Sequence, residues 1–325
     1  MEERDRMGLS LRGIAAEIGR SFLKPLEAGN SLRETVQNEV LHEAGAACNF
    51  AEASALTLGE AFASRTGLST ALHPLSLRLQ REVAAPDKRF DGYFLGAGGQ
   101  TFAPATVLSE IPAVIPAGGT RNNETLIYVN GIRTNVAGQA NSLQALADNS
   151  GSRVVGIHNA TEGFGTDILQ SLGDKLDIGR NPAVDTLADT VYNELRAGRG
   201  VHLLAHSQGA LITSRALQDV KNRLMLEDGM SRREAENLMS GIKVETFGGA
   251  ARRYTDGPQY VHYVNRNDGV PQALGLRSWL NPFAHEGRGA VTHYFRAGRP
   301  LTSHGFEEFY LPERAAFDGA RAGRF

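Results

Sequence analysis

From about residue 125 onward, short apolar runs alternate with amphipathic stretches. TLIYVNG, RVVGIHN, VHLLAHS, IKVETFGG and YVHYVNR are each rich in Val, Ile, Leu or Tyr and end in small or polar residues, the pattern of a strand buried on both faces. Between most of them the apolar positions take helical spacing, over residues 141–148, 182–195 and 210–226. Strand and helix in alternation predict a largely parallel sheet with helices on both faces. Reactive groups in such sheets gather just beyond the carboxyl ends of the strands.

The first part of the chain differs. Residues 1–95 are rich in Ala, Leu and Glu, with apolar positions such as Leu32, Val36, Val40 and Leu41 at helical spacing, and predict several helices. GAGGQTF and IPAVIPAGG, within residues 96–121, are rich in Gly and Pro and favour an extended connection. The expected organisation is a helical region over 1–95, a connection over 96–121 and an α/β domain over 122–325, with no internal repeat. The apolar faces of the first helices need cover, from the α/β domain or from a partner such as a chaperone or a membrane surface. The lack of a basic face favours the domain.

Charge narrows the partners. Lys and Arg total 34 against 36 Asp and Glu, a net charge of -2, so no overall field draws the chain to nucleic acid or to an anionic membrane. Cys48 is the single cysteine, which excludes an internal disulfide and a cysteine-rich zinc site. MEERDRMGLS does not read as a secretory signal, and no apolar window approaches a membrane span. A cytoplasmic location, or export by a specialised machine, is the expectation. Residues 151–156 lack dinucleotide-binding spacing, and neither a P-loop nor a His-Glu-x-x-His pair occurs. No cofactor or metal is expected.

One run breaks its apolar pattern at a serine: Val201-His202-Leu203-Leu204-Ala205-His206-Ser207-Gln208-Gly209-Ala210. A strand enters Ser207 and a helix leaves it. An ordinary strand-to-helix loop would fit, but Ala205-His206-Ser207-Gln208-Gly209 resembles the Gly-x-Ser-x-Gly nucleophile elbow of α/β-hydrolases, with Ala in place of the first Gly. Small residues at Ala205 and Gly209 let strand and helix backbones approach while the serine oxygen is lifted clear. His206 reads as a prop for this elbow. A serine hydroxyl needs a histidine to take its proton, and the histidine needs a carboxylate to orient it.

The resemblance implies the chain order serine, acid, histidine. Asp268 stands just beyond the strand-like YVHYVNR, and the stretch from Thr246-Phe247-Gly248-Gly249-Ala250 through Asp268-Gly269-Val270-Pro271 is similar to class 3 type lipases, whose acid lies in an Asp-x-Val-Pro turn. Asp256, in Thr255-Asp256-Gly257-Pro258, is the rival. Of the nine histidines, His285, His293 and His304 follow the acid. His304, in a polar loop before the helix-like residues 306–310, resembles the family's base; His293 falls in a strand-like run and His285 stays open. Asn130-Gly131-Ile132 resembles the His-Gly-x segment of lipases, which implies an oxyanion hole from the N–H groups of Ile132 and Gln208, with Gly131 allowing close approach. A plain strand-ending glycine is the other reading of Gly131.

The resemblance implies a serine hydrolase acting on carboxylic esters, most like lipases and phospholipases. Leu276, Trp279, Leu280, Pro282 and Phe283 give an apolar segment suited to a lipid-facing rim or to a loop packed on the core. The Asn-Gly-Ile-Arg-Thr and His-Ser-Gln-Gly stretches are also similar to bacterial toxin lipases delivered by secretion systems. The alternatives are a thioesterase or acyltransferase of the same fold, and a non-catalytic protein of this fold that binds a ligand or partner.

Overall fold

The computed structural model describes residues 87–132, 134–160, 181–276, 284–300 and 303–325. Nearly all of the region read as helical over residues 1–95 lies outside them, as do Cys48, Trp279, Leu280, Pro282 and Phe283. Among the described residues, eight strands form one sheet: β1 (Phe94–Leu95), β2 (Thr101–Phe102), β3 (Thr125–Val129), β4 (Arg153–Ile157), β5 (His202–His206), β6 (Lys243–Phe247), β7 (Gln259–Asn265) and β8 (Val291–Phe295). Their order across the sheet is β2-β1-β4-β3-β5-β6-β7-β8. From β4 to β8 every pairing is parallel, and β1 runs antiparallel to both neighbours.

Residues along a strand point alternately to opposite faces, and here each face has its own core. Ile127 and Val129 of β3, Leu203 and Ala205 of β5 and Val244 of β6 pack with α2 (Pro182–Arg196), α3 (Gln208–Leu226) and α4 (Arg232–Met239). Leu126, Tyr128, Leu204, Phe247, Val261 and Tyr263 pack on the other face with α1 (Val136–Ser150) and the chain's last segment, Phe306, Tyr310 and Phe317. Local chemistry sets the helix starts. Asn135 and Asn181 accept the Gly138 and Val184 N–H groups, Pro182 takes the first turn of α2, and Ser231 with Glu234 makes a capping box. The result is an α/β-hydrolase-like architecture: a mostly parallel sheet with helices on both faces.

The five buried runs and the strand-like Thr292-His293-Tyr294-Phe295 all lie in this sheet. β1 and β2 fall where a helical end and a connection were expected, and Val114 bridges Val154 of β4. Strands of two residues are too short to show alternation. Gly98 and Gly99, whose positive φ angles of 67° and 70° turn the chain between them, read in sequence only as linker.

A buried charge cluster ties the end of the chain to the sheet. Glu245, fully buried on β6, accepts His202 Nε2 at 2.9 Å and Arg314 Nη2 at 2.8 Å. Glu124 Oε1 lies 3.0 Å from His202 Nδ1 and 3.2 Å from Lys243 Nζ. The hydrogen bond with His202 is the main cause holding the Glu124 carboxyl down at about 2, against its burial. Burial works against charge on His202, yet the two carboxylates hold its pKa above the ordinary value. Arg314 thereby fixes the segment that begins with His304. Among the described residues no helix is long and apolar enough to cross a membrane.

A chain begun at Asn122 would lose β1, β2 and the buried Phe94, Leu95, Ile111 and Val114, and would bare an unpaired edge on β4. It is expected to precipitate or to unfold without cooperativity, measured by solubility and thermal melting beside the full chain. A soluble fragment with a sharp transition would contradict this.

Candidate active site

β5 delivers Ser207 to the carboxyl end of the sheet, and α3 begins one residue later. Ser207 has φ 55° and ψ -120°, the sole positive φ of a non-glycine residue among those described. Such a conformation costs of order 1–3 kcal/mol and persists only where its surroundings enforce it. They do so here. The Ser207 N–H donates to Phe247 O at 3.0 Å, and Ser207 O accepts the N–H groups of Ala250 at 3.0 Å and Ala210 at 3.1 Å. A Cβ on Gly209 would lie 2.2 Å from the backbone oxygen of Val129. Only glycine allows α3 to start so close to β3. Ala205 is fully buried on the entering strand. The Ser207 side chain makes no helix-capping bond, and its Oγ is buried without a hydrogen-bond partner among the described residues.

The acid and base candidates meet from separate elements. Asp268 follows β7 and caps the short helix α5 (Gly269–Ala273), its Oδ1 accepting the Val270 N–H at 2.8 Å. Its other oxygen, Oδ2, accepts His304 Nδ1 at 2.6 Å and Tyr310 Oη at 2.5 Å. A proton on Nδ1 leaves Nε2 as the basic nitrogen, and His304 Nε2 is buried with no partner among the described residues. Burial, reinforced by the Asp268 charge, pushes the Tyr310 hydroxyl pKa well up, so it stays a donor. His304 sits beside the elbow: its ring centroid is 4.6 Å from that of His206, and its carbonyl accepts His206 Nε2 at 2.8 Å. Burial pushes the His206 imidazole well below its ordinary pKa. Neutral His206 thus donates to the loop that carries His304.

Gly131 brings the loop after β3 against the serine. A Cβ there would stand 3.0 Å from Ser207 Cβ and 3.6 Å from Oγ. Ile132 follows in a half-buried turn, and Gln208 opens the first turn of α3, where backbone N–H groups have no helical acceptor. Behind these two backbones lie buried amides. Asn130 Oδ1 accepts the Asn159 N–H at 2.8 Å, and its Nδ2 donates to Asn159 O at 2.9 Å and Gly131 O at 2.8 Å. Asn159 Nδ2 donates to Gln208 Oε1 at 2.8 Å.

The rival residues lie in other surroundings. Asp256 accepts His285 Nε2 at 2.8 Å and binds Arg288 through both its backbone and guanidinium, in a largely exposed ion network. His293 stacks on Phe325 at 4.1 Å and has its Nε2 3.5 Å from Glu313. His158 is fully buried, with Nδ1 2.7 Å from Gln139 Oε1, and burial holds its pKa down at about 4. Leu276 packs against the core.

Sequence reasoning missed Tyr310 and Gly248. A tyrosine in a terminal helical turn carries no motif, and Asn159 falls in a strand-ending stretch, residues 158–163, that reads equally as pocket lining or as a structural turn. Gly248 had a signal in the Gly-Gly pair after β6: its φ is 56°, and a Cβ would fall 2.8 Å from Asp268 Oδ2 and 2.7 Å from Tyr310 Oη.

Gly209→Ala should therefore disturb Ser207 directly. The added carbon must push α3 away from β3, at a cost of about 2 kcal/mol or more. A lower denaturant midpoint is expected, and an unchanged midpoint would show that the close approach is not required.

No protein-family model matches the chain, and neither does any curated protein sequence. Among solved structures it is similar to an esterase from Pyrobaculum calidifontis, at 14% identity and a TM-score of 0.38 over 63% of this chain and 74% of the other. It is also similar to TT1662 from Thermus thermophilus, at 15% identity and a TM-score of 0.32 over 61% of this chain and 89% of the other. Both likenesses are distant, and the α/β-hydrolase-like character of the fold rests on the chain's own strand order and on the turn at Ser207.

Proposed function

We propose that the protein is a serine hydrolase that cleaves carboxylic esters through an acyl-enzyme on Ser207. The observation that carries this reading is the convergence at one end of the sheet of a strained serine with an unpartnered Oγ and a histidine whose Nδ1 is bound 2.6 Å from a buried carboxylate. In the proposed reaction His304 Nε2 takes the Ser207 proton as Oγ attacks the ester carbonyl, while Asp268 holds the tautomer. The N–H groups of Gln208 and Ile132 receive the developing oxyanion. His304 then returns the proton to the leaving alcohol, and water repeats the sequence to release the acid. A lipid ester is the narrower form of the proposal. It rests on the sequence resemblance to lipases and phospholipases.

A non-catalytic binding role is the alternative, and the geometry argues against it. Binding alone gives no reason to hold Ser207 at positive φ or to present a carboxylate to the far nitrogen of an adjacent histidine.

Ser207→Ala should keep its fold and lose ester hydrolysis by several orders of magnitude, because such residues act as a unit. With a chromogenic short-chain ester, His304→Ala and Asp268→Asn should be severely impaired, whereas Asp256→Asn, His285→Ala and His293→Ala should retain most activity. Near-native turnover by folded Ser207→Ala would sink the proposal, and a reversal within either set would reassign the acid or the base.

A further inference from the structure

The two N–H groups assigned to the oxyanion come from loops far apart in sequence, Gly131-Ile132 and Ser207-Gln208, and their usefulness depends on a fixed separation. Electrostatic stabilisation of this kind works because the donors need no rearrangement when charge develops. The same two loops are joined by the buried amides behind them. Asn130 and Asn159 are fully buried and Gln208 nearly so. The Asn130 side chain pairs with the backbone of Asn159 as a neighbouring strand would, using Oδ1 for its N–H and Nδ2 for its C=O. Because both partners are backbone groups, the orientation of the Asn130 amide is fixed. The same Nδ2 reaches Gly131 O, which sets the peptide that leads into Ile132. The Asn159 side-chain amide in turn donates from Nδ2 to Gln208 Oε1.

We infer that Asn159 is a positioning residue for the oxyanion hole, the link through which the loop after β3 and the first turn of α3 are held at a working distance. The inference rests on the serine hydrolase reading. Asn159 contacts no reacting atom in it. Its effect passes through the Gln208 side chain on one hand and, by way of Asn130, through the Gly131 carbonyl on the other. Three observations separate this from ordinary loop packing. The bonds run in an unbroken line from one donor loop to the other; the groups are desolvated, so a lost partner is not replaced by water; and the line ends on Gly131, which lies against Ser207, and on Gln208, the residue after it. A misplacement of about 1 Å at such a site can cost on the order of 100-fold in rate.

Steady-state hydrolysis of a chromogenic ester by wild type, Asn159→Ala, Gln208→Leu and the double variant tests this, with thermal melting as the check on folding and a trifluoromethyl ketone as the transition-state analogue. Asn159→Ala should lower kcat by about 10- to 100-fold with KM little changed. Affinity for the ketone, whose adduct oxygen occupies the oxyanion position, should fall by a similar factor, while inhibition by the carboxylic acid product should not. In the Gln208→Leu background, the Asn159→Ala change should bring little further loss, since the bond is already cut. If Asn159→Ala does not fold, Gln208→Leu severs the same bond and carries the same expectation. Full kcat in a folded variant, a loss confined to KM, or additive losses in the double variant overturn the inference while leaving the hydrolase reading intact. A wild type that neither turns over the ester nor binds the ketone removes that reading, and the inference with it.

Discussion

The left-handed backbone at Ser207 is the constraint on which the site depends. A serine there gains nothing locally and would relax to an ordinary helix N-cap if its neighbours allowed. Three groups from different parts of the sheet prevent this: Phe247 O accepts its N–H, Ala250 donates to its carbonyl, and Gly209 lies against the carbonyl of Val129. Tertiary structure supplies the free energy that holds the strained turn. In return the hydroxyl is denied its local capping bond and left without a partner among the described residues.

The remaining groups reach Ser207 through connections that also hold the fold together. Asp268 follows β7, and its carboxylate binds both His304 and Tyr310, so the proposed acid, the proposed base and the helical turn after it form one unit. Arg314, a few residues on, is anchored to Glu245 in the centre of the sheet. His206 points the same way: one step before the serine, it binds the carbonyl of His304 and lies against its ring at a tilt of 33°. Removing Arg314 would leave the buried Glu245 carboxylate with His202 as its remaining described partner and loosen the segment that carries His304. Stability and placement of the proposed base therefore share the same bonds.

Much of the frame was legible in the sequence, because strands buried on both faces leave unbroken apolar runs and helices between them keep their period. The tight turn at Ser207 was legible for a different reason: a close approach of strand and helix leaves a mark in composition, here Ala205 and Gly209. The candidates for acid and base could be narrowed by order along the chain and by resemblance alone, since an aspartate in a turn and a histidine in a loop are common. What separates Asp268 from Asp256 is the partner each meets, His304 and Tyr310 in one case, His285 and Arg288 in the other. No local pattern records such meetings. The same holds for the Asn130, Asn159 and Gln208 amides, which come together across three strand ends. β1 and β2 escaped notice because two residues cannot show a period.

Covalent labelling tests most directly whether Ser207 is the nucleophile. Full-length protein treated with a fluorophosphonate, digested and sequenced by tandem mass spectrometry should carry one adduct, on the Ser207 hydroxyl. His304→Ala should label far more slowly under the same conditions. An adduct on a different residue, or no adduct on a folded chain, would contradict the account.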